Sequence, residues 1–183
     1  EGGQRVPCVM RWPNKIASGT VSEALVTSMD FFPTFSKLAG ESVSTERIID
    51  GNDISGLMFD ETNSMGNDVF HYYAQNTLEA IRVGDWKLHF RKGDTEIFEL
   101  YNLRNDVSET TNCYNEEVEI VVALSAKAKA IREDIGDEAL GVVGRNNRPI
   151  GRIENAKPLT EYRKDHPYMI AMYDLPDMPT MSG

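Results

Sequence analysis

The chain has 183 residues, 40% hydrophobic and 26% charged, with a net charge of -10, a globular composition long enough for one good core or a small domain with an appendage. That acidic balance argues against nucleic acid or an anionic membrane as a partner, because phosphate backbones are bound by accumulated Lys and Arg; no apolar run approaches the roughly 18 residues that would span a bilayer. Two cysteines make no disulfide framework, and the absence of an initiator Met or a basic-then-apolar leader leads us to expect a start within a longer protein or after processing.

Residues 1–13 read EGGQRVPCVMRWP. Gly2 and Gly3 let a backbone pass close to a ligand or another backbone and are expected to border a pocket. Residues 6–12 are predicted as an apolar strand holding Cys8 as a small buried thiol, closed by Pro13, which cannot continue a ladder. After a polar turn, Ser28-Met-Asp-Phe-Phe-Pro33 opens a helix, with Ser28 or Asp30 as its cap and Pro33 tolerated in its first turn. Phe31, Phe32, Phe35, Leu38 and Ala39 then recur at helical spacing as far as Gly40. One strand and one helix cannot bury such a face, so residues 1–66 are read as the final strand and helix of a larger α/β sheet.

Residues 60–67 are a polar connection, after which the pattern turns to short β runs at 69–74, 79–83, 86–90 and 96–103. Gly84-Asp85 is a two-residue turn between antiparallel strands, and Lys92-Gly93-Asp94 sits in a slightly longer one. In Trp86-Lys-Leu-His-Phe90 the alternation places one face on a core and turns Lys87 and His89 to water. Over 116–135 the period is helical, with Val118, Val121, Val122, Leu124, Ala128, Ile131 and Ile135 in one stripe. Glu116, Glu117 and Glu119 lie early and Lys127, Lys129 and Arg132 late, an order that complements the helix dipole, and Gly136 ends the run. The expected class is α+β, a small antiparallel sheet of about four strands on a long helix. The expected divisions are 1–66, a 67–140 sheet-and-helix subdomain, and an extended 141–183 tail that wraps a surface or crosses to a partner.

These pieces, in this order, resemble the C-terminal portion of the formylglycine-dependent sulfatases, the arylsulfatase branch of the alkaline-phosphatase-like superfamily. EGG-x-RVP-x-x-x-RWP is similar to the family's last sheet strand, and Gly19 with Ser28-Met-Asp-Phe-Phe-Pro-Thr34 to its helix start. Leu38-Ala-Gly40 and Asp50-Gly-x-Asp53 resemble the following loop, and Ile81-Arg-Val-Gly-Asp-Trp-Lys-Leu88 the hairpin of the small C-terminal domain. Leu100-Tyr-Asn-Leu103 with Asp106, Glu109 and Asn112 resembles the strand exit, except that Val107 and Ser108 stand where the family usually has Pro and Gly. Beyond Gly136 only Gly136-Asp137 and Arg148-Pro149 echo it.

The resemblance implies a parent enzyme that hydrolyses aryl or carbohydrate sulfate esters with a formylglycine nucleophile and calcium, and commonly works in the periplasm, the lysosome or outside the cell. It also implies that the chemistry lies elsewhere. Formylglycine forms within Cys-x-Pro/Ala-Ser-x-Arg, whereas Cys8 is followed by Val9, Met10 and Arg11, and Cys113 by Tyr114, Asn115 and Glu116. The family's calcium ligands and its sulfate-contacting Lys would all precede Glu1, so no catalytic residue and no metal ligand is expected here, and the chain alone is expected to be inactive. Asp50 to Asp53 offers too few spaced oxygens for a calcium loop, and His71, His89 and His166 lack close ligand spacing. His71 and Tyr72, in Phe70-His-Tyr-Tyr73 at the entry to the small domain, are the candidate contacts for a sugar or aryl group. Two other readings stay open: a phosphonate or phosphodiester hydrolase of the same superfamily, and a stand-alone module that binds or oligomerises through its tail.

Overall fold

In the computed structural model, the described residues are 1–59, 66–148, 151, 152 and 154. Four strands, β1 (Val69–Ala74), β2 (Thr77–Val83), β3 (Trp86–Lys92) and β4 (Thr95–Asn102), pair in chain order as one antiparallel sheet. The turns dictate that order. Gly84 and Gly93 take φ values of 56° and 58°, the left-handed conformation that two-residue hairpin turns demand and that a residue without Cβ adopts freely. Gly93-Asp94 is thus a two-residue turn as well, one residue tighter than the sequence suggested.

Register builds the core. Ile81 lies opposite Leu88, and Leu88 opposite Leu100, so one aliphatic row crosses the sheet. A bulge between Tyr72 and Tyr73 pairs Tyr72 with Ala80 but Tyr73 with Leu78. The skipped Glu79 turns Leu78 to the same face as Ile81, which strict alternation would forbid. The helices are α1 (Phe31–Leu38), α2 (Ser55–Met58) and α3 (Val118–Ile135). α3 lays Val121, Leu124 and Ala128 on the row of Leu78, Ile81, Leu88 and Leu100. Full burial of each large aliphatic side chain stabilises by roughly 1.5–3 kcal/mol. Val118 and Val122, expected in the same stripe, are 57% and 63% exposed; the helix meets the sheet along Val121, Leu124 and Ala128, flanked by the partly buried Ile120 and Ile131.

The end of α3 is pinned rather than frayed. Gly136 takes φ 96°, and the buried Asp137 accepts from Arg132 Nε at 2.8 Å and from Leu78 N at 3.4 Å. The Arg132 guanidinium lies 4.5 Å over the Phe90 ring, and the Tyr73 hydroxyl donates to the Gly136 carbonyl at 2.7 Å. Asp137 also bridges to Val142, and Arg145 N and Asn146 N donate to the Glu133 and Asp134 carbonyls at 3.0 and 2.8 Å. Residues 141–146 therefore return along α3. The chain divides into compact units Glu1–Asn147 and Arg148–Gly183; apart from 148, 151, 152 and 154 the second unit, with most of the expected tail and His166, lies outside the described residues, as do residues 60–65.

The N-terminal segment corrects one expectation. Residues 6–12 join no ladder among the described residues, Val6 and Val9 are 71% and 91% exposed, and Cys8 is an exposed free thiol. An apolar run becomes a strand only where another strand accepts its N–H and C=O groups, and the four-strand sheet offers it none. The predicted helix does form. Its entry is tied by the buried Asp30, whose carboxylate accepts from Thr27 N at 2.6 Å, Asn52 N at 2.7 Å and Asn67 Nδ2 at 2.8 Å. Three separate segments meet at that one carboxylate. Thr34 adds a second knot, donating to the Asp30 carbonyl at 2.6 Å and accepting from Ile54 N at 3.0 Å. Phe32 and Phe35 stay exposed.

Candidate functional site: a buried carboxylate clamp on the polar face of the sheet

The face of the sheet opposite α3 carries Phe70, Tyr72, Ala80, Arg82, Lys87, His89 and Tyr101, as alternation requires. Lys87 stands at its centre, opposite Arg82 on one side and Tyr101 on the other. The sequence turned Lys87 to water, yet its side chain is 4% exposed. A buried ammonium requires paired charge. Lys87 Nζ lies 3.0 Å from Glu1 Oε1 and 3.0 Å from Glu109 Oε1, and 4.2 Å over the Tyr72 ring, where the ring quadrupole adds attraction.

The two carboxylates have further partners. Tyr72 Oη donates to Glu1 Oε1 at 2.7 Å, and Arg82 Nη1 lies 3.6 Å from Glu1 Oε2. His89 Nε2 is 2.7 Å from Glu109 Oε1, and the α-ammonium of Glu1 is 2.7 Å from Glu109 Oε2. Glu109 reaches the sheet because the loop after β4 is wound tightly: Asp106 accepts from Thr110 N and Thr111 N, and Glu109 itself takes φ 54°. Asn112 then fastens the loop, accepting from Leu100 N at 3.0 Å and donating to the Phe98 carbonyl at 3.2 Å.

The electrostatics follow from this packing. Burial alone would raise the Glu109 pKa, but hydrogen bonds from the ammonium, His89 and Lys87 outweigh it and hold the group at about 2. Glu1 is likewise lowered against the opposing effect of burial, by Tyr72 and Lys87. Burial and the Glu1 carboxylate push the Tyr72 phenol far above its ordinary value, so at neutral pH it is a proton donor to Glu1. The cluster contains no activated nucleophile, and its polar groups are spent on one another. Chemically it clamps carboxylates.

Of the residues singled out in sequence, Tyr72 is in this cluster. His71, the next residue on β1, points to the opposite face, half-buried opposite Ile81. Burial lowers its pKa, while Asp50 and Asp134 pull the other way. The two are therefore not brought into one pocket. Gly2 and Gly3 form an exposed turn in which Gln4 N and Arg5 N donate to the Glu1 carbonyl at 3.0 and 2.8 Å; among the described residues nothing lies within 4 Å of a Cβ built on either. A cleft of about 390 Å³ between the β1–β2 turn and residues 135–147, bordered by Tyr73, Asn76, Asp137 and Glu138, includes none of these candidates. Glu1, Arg82, Lys87 and Glu109 escaped sequence reasoning as a group. The available signal was that Arg82 and Lys87 flank one turn on the same face, which asks for carboxylates from elsewhere.

Residues 1–134 match the family model for N-sulphoglucosamine sulphohydrolase, C-terminal. An arylsulfatase of Hemicentrotus pulcherrimus is 41% identical over 91 residues, covering 50% of this chain and 16% of that protein. A steryl-sulfatase of Mus musculus is 37% identical over 82 residues, 45% of this chain and 13% of the relative. Arylsulfatase G of Canis lupus familiaris is 27% identical over 164 residues, 80% of this chain and 30% of its own. Among solved structures, the PsFucS1 sulfatase from Pseudoalteromonas sp. superposes with a TM-score of 0.57 at 21% identity, over 66% of this chain and 28% of that one. BT4656, solved in complex with its substrate D-glucosamine-2-N,6-O-disulfate, gives 0.54 at 24% identity over 67% and 27%. At such identities the structures speak for the fold alone, and that fold is the sheet and helix described above. This chain spans less than a third of the length of each of these proteins. With the family model covering residues 1–134, the chain belongs to the N-sulphoglucosamine sulphohydrolase C-terminal family, in the company of sulfatases.

Proposed function

We propose that this chain is the C-terminal part of a sulfatase that hydrolyses aryl or carbohydrate sulfate esters to an alcohol and inorganic sulfate. The observation that carries the reading is the family match over residues 1–134, supported by relatives that are sulfatases and extend far beyond the matched region. Within that enzyme these residues supply scaffold and the border of the site. The nucleophile, a formylglycine, would come from polypeptide outside this chain, because neither Cys8 nor Cys113 sits in the sequence that is converted. Calcium, which the family resemblance implies, would likewise be held by residues outside this chain; among the described residues no three His, Cys, Asp or Glu side chains gather to hold a metal ion.

His71 is the substrate contact proposed within the chain, on an aryl or sugar group at the sheet, because burial disfavours protonation of its ring, which offers a flat apolar surface with a polar edge. The site of action that fits the family is the periplasm, the lysosome or the cell exterior; among the described residues no helix is long and apolar enough to cross a membrane. The test is hydrolysis of an aryl sulfate with calcium present. The chain alone should match buffer, and the protein extended by its upstream sequence should turn the ester over; turnover by the chain alone would contradict the reading. In the extended enzyme His71→Ala should raise KM several-fold, and an unchanged KM for every sulfated substrate would leave His71 as packing.

A further inference from the structure

The clamp on the polar face of the sheet has one occupant whose backbone leads directly to Gly2 and Gly3. Glu1 is held twice. Its carboxylate is gripped by Tyr72, Lys87 and Arg82, and its carbonyl closes the glycine turn by accepting from Gln4 N and Arg5 N. The side-chain grip does not depend on what precedes Glu1, unlike the contact of its α-ammonium. Both glycines are exposed, and among the described residues nothing lies within 4 Å of a Cβ built on either; the hold on this turn comes from the Glu1 side, through residues more than 70 positions away in sequence.

We propose that Lys87, Tyr72 and Arg82 are positioning residues for the reaction: by fixing Glu1 they fix the Gly2–Gly3 turn that borders the substrate pocket of the sulfatase. The small C-terminal sheet thereby shapes a pocket to which it contributes no reacting group. This rests on the sulfatase reading given above. It also reassigns Tyr72, whose hydroxyl is committed to Glu1, from substrate contact to positioning.

The first arm uses the full chain. Backbone ¹⁵N relaxation should show Gly2 and Gly3 ordered in the wild type, with order parameters near ~0.85, and mobile, below about 0.6, in Tyr72→Phe and in Lys87→Met. Tyr72→Phe keeps the ring under Lys87 and removes one hydroxyl, so it carries the test if Lys87→Met does not fold. Glycines already mobile in the wild type, or equally ordered in a folded variant, would overturn the proposal. The second arm uses the enzyme extended by its upstream sequence, where Tyr72→Phe should lower kcat/KM by roughly tenfold or more, as misplacement of a site-bordering segment does. Loosened glycines with unchanged kcat/KM would also overturn it. A wild-type enzyme without sulfatase activity would instead strike the functional reading, and the relaxation data would still decide whether the sheet positions the turn.

Discussion

At the scale of single residues, what was legible in the sequence was whatever a residue does through its own backbone. Gly84 and Gly93 announce hairpin turns because only a residue without Cβ takes their φ cheaply. Lys87 was misjudged because its burial depends on Glu1, 86 positions away, and no local pattern reports a partner at that distance. Gly51 was equally hidden: a Cβ there would lie 2.0 Å from the Met29 carbonyl oxygen, a contact set by the knot at Asp30. The two kinds of glycine can be told apart by urea melts. Gly84→Ala meets no atom within 4 Å and should cost only the backbone strain, about 1–2 kcal/mol. Gly51→Ala should cost about 3 kcal/mol, the upper end for overpacking, because backbone on either side must move. Equal costs would remove the Asp30 knot as a rigid feature.

Glu109 gives a prediction in pH. In the chain that begins at Glu1, whose ammonium is among the groups that lower it, its folded pKa, about 2, lies below the ordinary glutamate value of about 4.3, so the folded chain binds fewer protons there than the unfolded one does. The stability it contributes is present in full above about pH 4.3 and is lost as the pH falls toward about 2. The urea midpoint of the wild type should decline through that window, and Glu109→Gln should flatten part of the decline while lowering the midpoint at pH 7. A parallel pair of curves would show that Glu109 titrates normally.

At the scale of elements, the sequence was most informative where an element carries its own partner. The four strands are joined by tight turns, so each finds its neighbour in the next few residues, and period-two patterning with the turn glycines sufficed to place them. Residues 6–12 have the same apolar character but no neighbouring strand among the described residues, and stay out of the ladder. For α3 the period was right and the width of the stripe was not, since the buried face centres on Val121, Leu124 and Ala128 with Ile120 and Ile131 beside them, and leaves Val118 and Val122 in water. Thermal or urea unfolding measures this line directly. Leu88→Ala, at the crossing of the aliphatic row, should cost about 2–5 kcal/mol, whereas Val122→Ala should change stability by no more than about 0.5 kcal/mol. Comparable losses at both positions would mean that α3 packs through a different face.

At the scale of the whole molecule, the order of motifs along the chain carried more than any one of them, and the family match over residues 1–134 agrees with it. The candidate site was only half legible: Tyr72 stands out in the sequence as an aromatic at the entry to the small domain, but the Glu1 carboxylate to which its hydroxyl donates does not. Neither Cys8 nor Cys113 offers a recognisable reacting group, so function was legible only through the order of the motifs and the family they match. The decisive measurement is a paired assay of the enzyme extended by its upstream sequence, with one aryl group presented as its sulfate and as its phosphodiester or phosphonate ester. Turnover of the sulfate in preference to the phosphorus esters is the predicted result; preference for a phosphorus ester, with the sulfate left intact, would contradict the assignment of this chain to a sulfate ester hydrolase.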